Sequence, residues 1–102
     1  MPTNIKTVQA SSITQKSVAV DHTATLIWNA NNDRVEVVIR NDDAVEVAIG
    51  FSDSMTFSAS QRKLAEDDVH IISGEGLYTG AIYAITEDTT GTTISTDEAI
   101  LA

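Results

Sequence analysis

The chain has 102 residues, no cysteine, and 15 acidic against 6 basic residues, for a formal net charge of −9. That length fits one domain of ordinary size. The lack of cysteine excludes disulfides, thiolate metal sites and thiol nucleophiles. The charge is lopsided, since residues 64–102 carry 8 acidic groups and no Lys or Arg. Such a half repels phosphate backbones and anionic lipid surfaces, so neither nucleic acid nor a membrane is an expected partner. Apolar residues make up 42% of the chain, enough to fold. Val, Ile, Ala and Thr are abundant, which suits strands. No run approaches the roughly 20 apolar residues of a membrane helix. Met1 to Ser12 lacks the apolar run of a secretory signal, so synthesis in a cytoplasm is expected.

Residues 1–12 read as an N-terminal arm or a short first strand, and residues 13–102 as one β-sandwich or barrel. Ile13 to Val20 is the first strand of the domain. Thr23 to Trp28 is the next, with Leu26 and Trp28 expected on one face, and it ends in the polar turn 29–33. The clearest segment is Arg34 to Arg40. Val35, Val37 and Ile39 alternate with polar residues, which predicts a half-buried strand with Arg34, Glu36 and Arg40 outward. Asn41-Asp42-Asp43 has turn chemistry. Ala44 to Phe51 then alternates again, with Val45, Val47, Ile49 and Phe51 on one face. Together the two runs predict a β-hairpin.

Ser52 to Ser60 is polar and predicts an irregular connection. A single helical turn fits Ser60 to Asp68. Val69 to Ile72 predicts a strand with His70 outward. Ser73-Gly74-Glu75-Gly76 predicts a glycine turn. Leu77 to Thr86 predicts a long strand with Leu77, Ala81, Tyr83 and Ile85 on one face and a bulge at Gly80. After the turn at Thr89-Thr90-Gly91, Ile94 to Leu101 supplies the last strand or two. The sum is all-β: about eight short antiparallel strands with turns every 8–12 residues.

Little in this chain suggests catalysis. His22 and His70 are the two histidines, and no Gly-x-Ser-x-Gly elbow accompanies them. The carboxylates of Asp42-Asp43 and Glu66-Asp67-Asp68 lack the alternating spacing of a calcium loop, and neighbours in a turn point apart. They read as solvated turns, so no metal is expected. Gly74 and Gly76 lack the third glycine and the helix of a phosphate loop, so no cofactor is expected. Trp28, Phe51 and Tyr83 read as core and Tyr78 as the exposed aromatic. An enzyme ranks below a binding protein on these residues.

Several runs carry a family likeness. Thr25-Leu26-Ile27, Asn32-Asp33-Arg34, Val38-Ile39-Arg40-Asn41 and Val47-Ala48-Ile49-Gly50, in that order and spacing, resemble a group of small virion proteins of tailed bacteriophages. Leu64-Ala65-Glu66-Asp67-Asp68 is similar to that group's Leu-Ala-acidic-Gly corner, with Asp67-Asp68 where a Gly is expected. The run from Leu77 to Ile85 is similar to its Gly-Ala-Leu-Tyr-Ala-Ile strand. The likeness covers about residues 20–95. It implies a β-sandwich without catalytic residues, in which Arg34 and Asn41 close a turn and pin a strand end. It implies a structural protein of the virion, made in the host cytoplasm. The leading expectation is a capsid decoration (cement) protein on the major capsid protein, forming a trimer or dimer. A tail, neck or fibre component, or a host- or glycan-binding module, is the alternative. Thr3, Ile5, Val8, Arg62, Lys63 and Tyr78 are the candidate contacts to the capsid or to other copies.

Overall fold

The computed structural model of the chain describes residues 12–74, 77–87 and 89–101. Eight strands form: β1 (Ser12–Val20), β2 (Thr25–Trp28), β3 (Arg34–Asn41), β4 (Val47–Gly50), β5 (Arg62–Leu64), β6 (Val69–Ser73), β7 (Ile82–Thr86) and β8 (Thr92–Ile100). They build two four-stranded antiparallel sheets, in the orders β1-β8-β3-β6 and β2-β7-β4-β5. Consecutive strands lie in opposite sheets, apart from β4 and β5, which are neighbours. This is the strand order of an eight-stranded jelly roll, a sandwich of two interlocked Greek keys. Residues 1–11 of the expected N-terminal arm, with Thr3, Ile5 and Val8, lie outside the described residues, and Ser12 begins β1.

The core lies between the sheets. Val20, Val37, Ile39, Ile72 and Ile94 come from one side, and Ile27, Val47, Ile49, Leu64, Ile82 and Ala84 from the other. Each full burial of an Ile, Leu or Val contributes about 1.5–3 kcal/mol relative to exposure. Trp28 is buried, and its indole N–H donates to the Thr96 hydroxyl at 2.9 Å, which in turn donates to the Val38 carbonyl at 2.8 Å. The chain's lone tryptophan therefore fills core volume without leaving its polar atom unpaired.

Several local expectations are corrected by the topology. The run 34–40 forms a strand and residues 47–50 of the run 44–51 form another, but they are not a hairpin. Both edges of β3 are taken, by β8 and β6, and both edges of β4 by β7 and β5. Residues 42–46 instead carry the chain from one sheet to the other. A turn signature between two alternating runs marks a reversal, and it does not say whether the second run pairs with the first or crosses the core.

Two bulges change the expected faces. The pairing of β3 with β8 shifts between Arg34 and Glu36, so Arg34 leaves the polar face and is buried, 1% exposed. The pairing of β2 with β7 shifts between Leu26 and Trp28, so Trp28 and Ile27 are buried while Leu26 stays 42% exposed. In β7 the inward residues are Ile82, Ala84 and Thr86, whereas Tyr83 and Ile85 face outward, because Ala84 pairs with core residue Ile49. Residues 77–81 are not strand, and Ser60 to Asp68 holds no helical turn. Arg62 to Leu64 pair with β4 as an edge strand, and a tight turn closed by the Asp68 amide on the Ala65 carbonyl (3.0 Å) follows.

Two polar clamps hold the ends of β3. At its start, the Arg34 Nε–H donates to Glu98 at 2.9 Å. Its other N–H groups reach the carbonyls of Tyr78 (2.9 Å), Gly80 (2.8 Å) and Asn29 (2.8 Å). At its end, the buried Asn41 amide donates to the carbonyls of Val45 and Leu64, both at 2.9 Å, and its oxygen accepts the Asp43 amide at 3.1 Å. The Asn41 backbone binds the acidic corner, donating to the Asp68 carbonyl and accepting from the Asp67 amide. Both residues thus have the fold-serving roles that the family likeness implies.

Arg34→Ala should remove a large share of the domain's stability. The substitution strands Glu98 and three carbonyls, a loss of about 3–5 kcal/mol against a total stability of about 5–15. Urea unfolding of the variant beside the parent protein checks this.

The acidic corner makes a second test. Asp67 has φ +69°, a left-handed conformation that Gly adopts without strain. Asp tolerates that region better than most residues. Asp67→Gly should be neutral or stabilising by a few tenths of a kcal/mol, and Asp67→Val should cost about 1–2 kcal/mol. Thermal melts of the two variants would read this difference.

Candidate functional site

The outer faces of the two sheets are treated differently. On the β2-β7-β4-β5 sheet, Ala48, Gly50, Lys63, Tyr83 and Ile85 point away from the core by register. Yet Ala48 is fully buried and Ile85 is 6% exposed. The chain's own 51–60 connection lies over this face, against Gly50, Lys63 and Ile85. The Met55 side chain sits where a Cβ on Gly50 would lie, so a larger residue at 50 would have to shift that side chain. Lys63 Nζ lies 5.0 Å from the Phe57 ring centroid, which ties the loop to β5.

The outer face of the β1-β8-β3-β6 sheet carries no such cover among the described residues. Pairing aligns Gln15, Asp97, Val38 and Ile71 in one row across the four strands. Ser17, Ser95, Arg40 and Val69 form the next. Ile71 is 55% exposed and Val69 39%, and Ile13 on β1 is exposed too. Branched apolar side chains at neighbouring positions on one bare face differ from singly scattered ones, which need no explanation. An open, polar depression of about 380 Å³ lies on this face between Gln15, Ser17, Arg40, Ser95 and Asp97.

His70 was expected outward and Val69 and Ile71 inward; the reverse holds. His70 pairs with Ile39 and Ile72 with Val37, both fully buried residues, so His70 and Ile72 face the core side. The Ile71-Ile72 doublet permits either phase, and the register with β3 decides. Sequence reasoning therefore missed Val69, Ile71 and Ile13 as surface residues, and only the doublet hinted at the ambiguity.

The candidate contacts separate. Arg62 and Lys63 are exposed on edge strand β5. Tyr78 is not a free surface aromatic. It is half-buried and stacked on Phe51 with ring centroids 3.8 Å apart and planes 21° apart, and its ring leaves no space for a side chain at Gly80. Tyr83, expected in the core, is half-buried on the outer face. None of these lies on the bare sheet face.

The acidic turns make local hydrogen bonds. Asp43 accepts from the Thr92 hydroxyl at 2.8 Å and from the Ala44 amide, and these bonds, the Thr92 one first, hold its carboxyl below the usual range. Asp42 accepts from the Ser95 hydroxyl, and Asp68 from the Ala65 amide. The depressions of the surface are open. One of about 540 Å³ lies beside Asp21, Asp43 and Thr92, and one of about 500 Å³ lies between His22 and the 51–60 loop.

The fold and this face define a small jelly-roll domain with one capped and one bare sheet. No family model matches the sequence, and no curated protein matches it. The chain is similar in structure to the stem and receptor-binding domain of the spike protein P1 from bacteriophage PM2, with a TM-score of 0.58 and 15% sequence identity. The match covers 83% of this chain and 32% of that one, so this chain spans about a third of its length. At this identity the likeness is one of fold.

His70 offers a pH test. Burial, and after it the Arg62 guanidinium, hold its imidazole below the ordinary value. The unfolded chain then takes up the proton first as the pH falls. Stability from this group is complete above about pH 6.5, declines below it, and levels off under the folded-state value. Urea midpoints at about pH 7.5 and about pH 5.5 should therefore differ less in His70→Gln than in the parent.

Proposed function

We propose that this chain is a structural protein of a bacteriophage virion that acts by binding other virion proteins, without catalysis, and that it decorates the outer surface of the major capsid protein shell. The observation that carries this reading is the bare β1-β8-β3-β6 face, with Ile13, Val69 and Ile71 exposed while the opposite sheet is capped by its own loop. The jelly roll supports it, since this architecture recurs in viral capsid and lectin domains. So does the run of motifs similar to small virion proteins of tailed phages. A protein used in many copies holds a shell with modest contacts each, because linked contacts raise effective concentration. The acidic surface suits this role by keeping free copies from clumping. Self-association as a trimer or dimer belongs to the same reading, given the symmetry of shells.

A second reading is favoured by the structural neighbour: a spike- or fibre-type module that contacts a host receptor or glycan. The fold similarity to a phage spike domain supports it. The polar depression around Arg40 and Asp97 would then be the contact.

Co-sedimentation with undecorated capsids, with the mass of the free protein measured in parallel, tests the two. Decoration predicts saturable binding at a fixed ratio per capsid subunit, weakened by Ile71→Lys. Absence of capsid binding, with signal on a glycan array, would remove decoration and favour the spike-type reading.

A further inference from the structure

Each sheet of an open sandwich has two edges, and an exposed edge is a template for another strand unless something blunts it. Three of the four edge strands here carry such a device. β5 has only three residues and bears Arg62 and Lys63. β2 has four residues and a register shift. β1 carries Lys16, whose Nζ lies 4.0 Å from the Trp28 ring centroid. β6 (Val69–Ser73) has none: its five residues, Val-His-Ile-Ile-Ser, hold no Lys, Arg, Asp, Glu or Pro. Its pairing with β3 runs without a bulge from Arg40↔Val69 to Glu36↔Ser73. Its other edge meets no strand among the described residues. Its outward side chains are the exposed Val69 and Ile71, continuous through Val38 with the bare face.

The turn that leads into this edge is acidic, and the nearest cations, Arg40 beside Val69 and Arg62 near His70, belong to β3 and β5. β6 begins directly after Glu66-Asp67-Asp68, within a half of the chain that has no Lys or Arg. The described residues of this corner form no ion pair. A second copy pairing antiparallel through β6 would set this corner against the Ser73 end of its partner, beside Glu36, and so bring no cation to it. Five paired residues are also only about 17 Å of strand, small beside the roughly 800 Å² per partner of a stable dimer.

We propose that the free edge of β6 is a strand-addition site for an extended segment of a different protein, with alternating apolar residues and Lys or Arg at the end that meets Glu66-Asp67-Asp68. For an antiparallel addition that is the segment's C-terminal end. Main-chain hydrogen bonds supply the attachment, the Val69 and Ile71 side contacts the alternating apolar positions, and the acidic corner the polarity. This deepens the virion reading and rests on it only for the identity of the partner.

The probe is a synthetic peptide of alternating Thr and Val ending in two Lys, titrated into the full-length protein and followed by amide NMR. Controls place the two Lys at the N-terminus or replace them by Glu. The expected result is perturbation of the Val69 to Ser73 amides, at least tenfold tighter binding of the C-terminal Lys peptide than of the Glu peptide, and weakening with added salt. Ile71→Lys and, separately, Val69→Lys should lower that affinity at least tenfold with an unchanged thermal melt. Equal binding of all three peptides, perturbation confined to β1 or β5, or no binding at millimolar peptide would overturn the proposal. So would concentration-dependent dimers of the free protein that protect the β6 amides. Peptide binding as expected, with the chain absent from purified virions, would instead sink the virion reading and leave the strand-addition site standing.

Discussion

Arg34 is the residue on which the rest of this structure depends. A guanidinium buried to 1% exposure is costly unless every direction it points has an acceptor. Here it has a carboxylate on β8 and three carbonyls from the 29 and 78–80 segments. Those acceptors belong to parts of the chain far apart in sequence. Satisfying one side chain therefore fixes where the loop after β2, the approach to β7 and the end of β8 must lie. The bulge at the start of β3 is the local cost of turning this residue inward.

Asn41 does the same at the opposite end of β3, and the two clamps explain why β3 can sit at the centre of a sheet while the chain leaves it at once for the other sheet. Asn41 uses both amide protons and its oxygen on the crossover and on the end of β5. Its backbone pins the Asp67-Asp68 corner. Among the described residues no buried side-chain nitrogen or oxygen lacks a partner. That is the condition under which buried polar groups specify one arrangement instead of loosening the core.

With the interior settled this way, the surface divides into a covered and an uncovered half. The 51–60 segment has no regular structure of its own, yet it lies over Gly50, Lys63 and Ile85 and so covers part of one outer face. The other face keeps Val69 and Ile71 at a strand edge without a charge. A binding reading follows from this contrast more than from any single residue. It is why the candidate surface lies on β6 and its neighbours, away from Arg62, Lys63 and Tyr78.

The sequence by itself determined the all-β class, the approximate positions of the strands, most of the turns, the core roles of Trp28, Val37, Ile39, Val47 and Ile49, and the acidic character of the second half. These are local properties: period-2 alternation, turn chemistry and composition act within a few residues. It also marked Arg34 and Asn41, through a family likeness, without showing what they hold. Only the tertiary structure decided that 34–41 and 47–50 lie in different sheets, that Arg34 turns inward, and that Ile71 faces out while His70 faces in. Each of those depends on register between strands tens of residues apart. A one-residue shift in such a register moves every side chain of a strand to the opposite face, and no local pattern in a run such as Val-His-Ile-Ile can choose between the two.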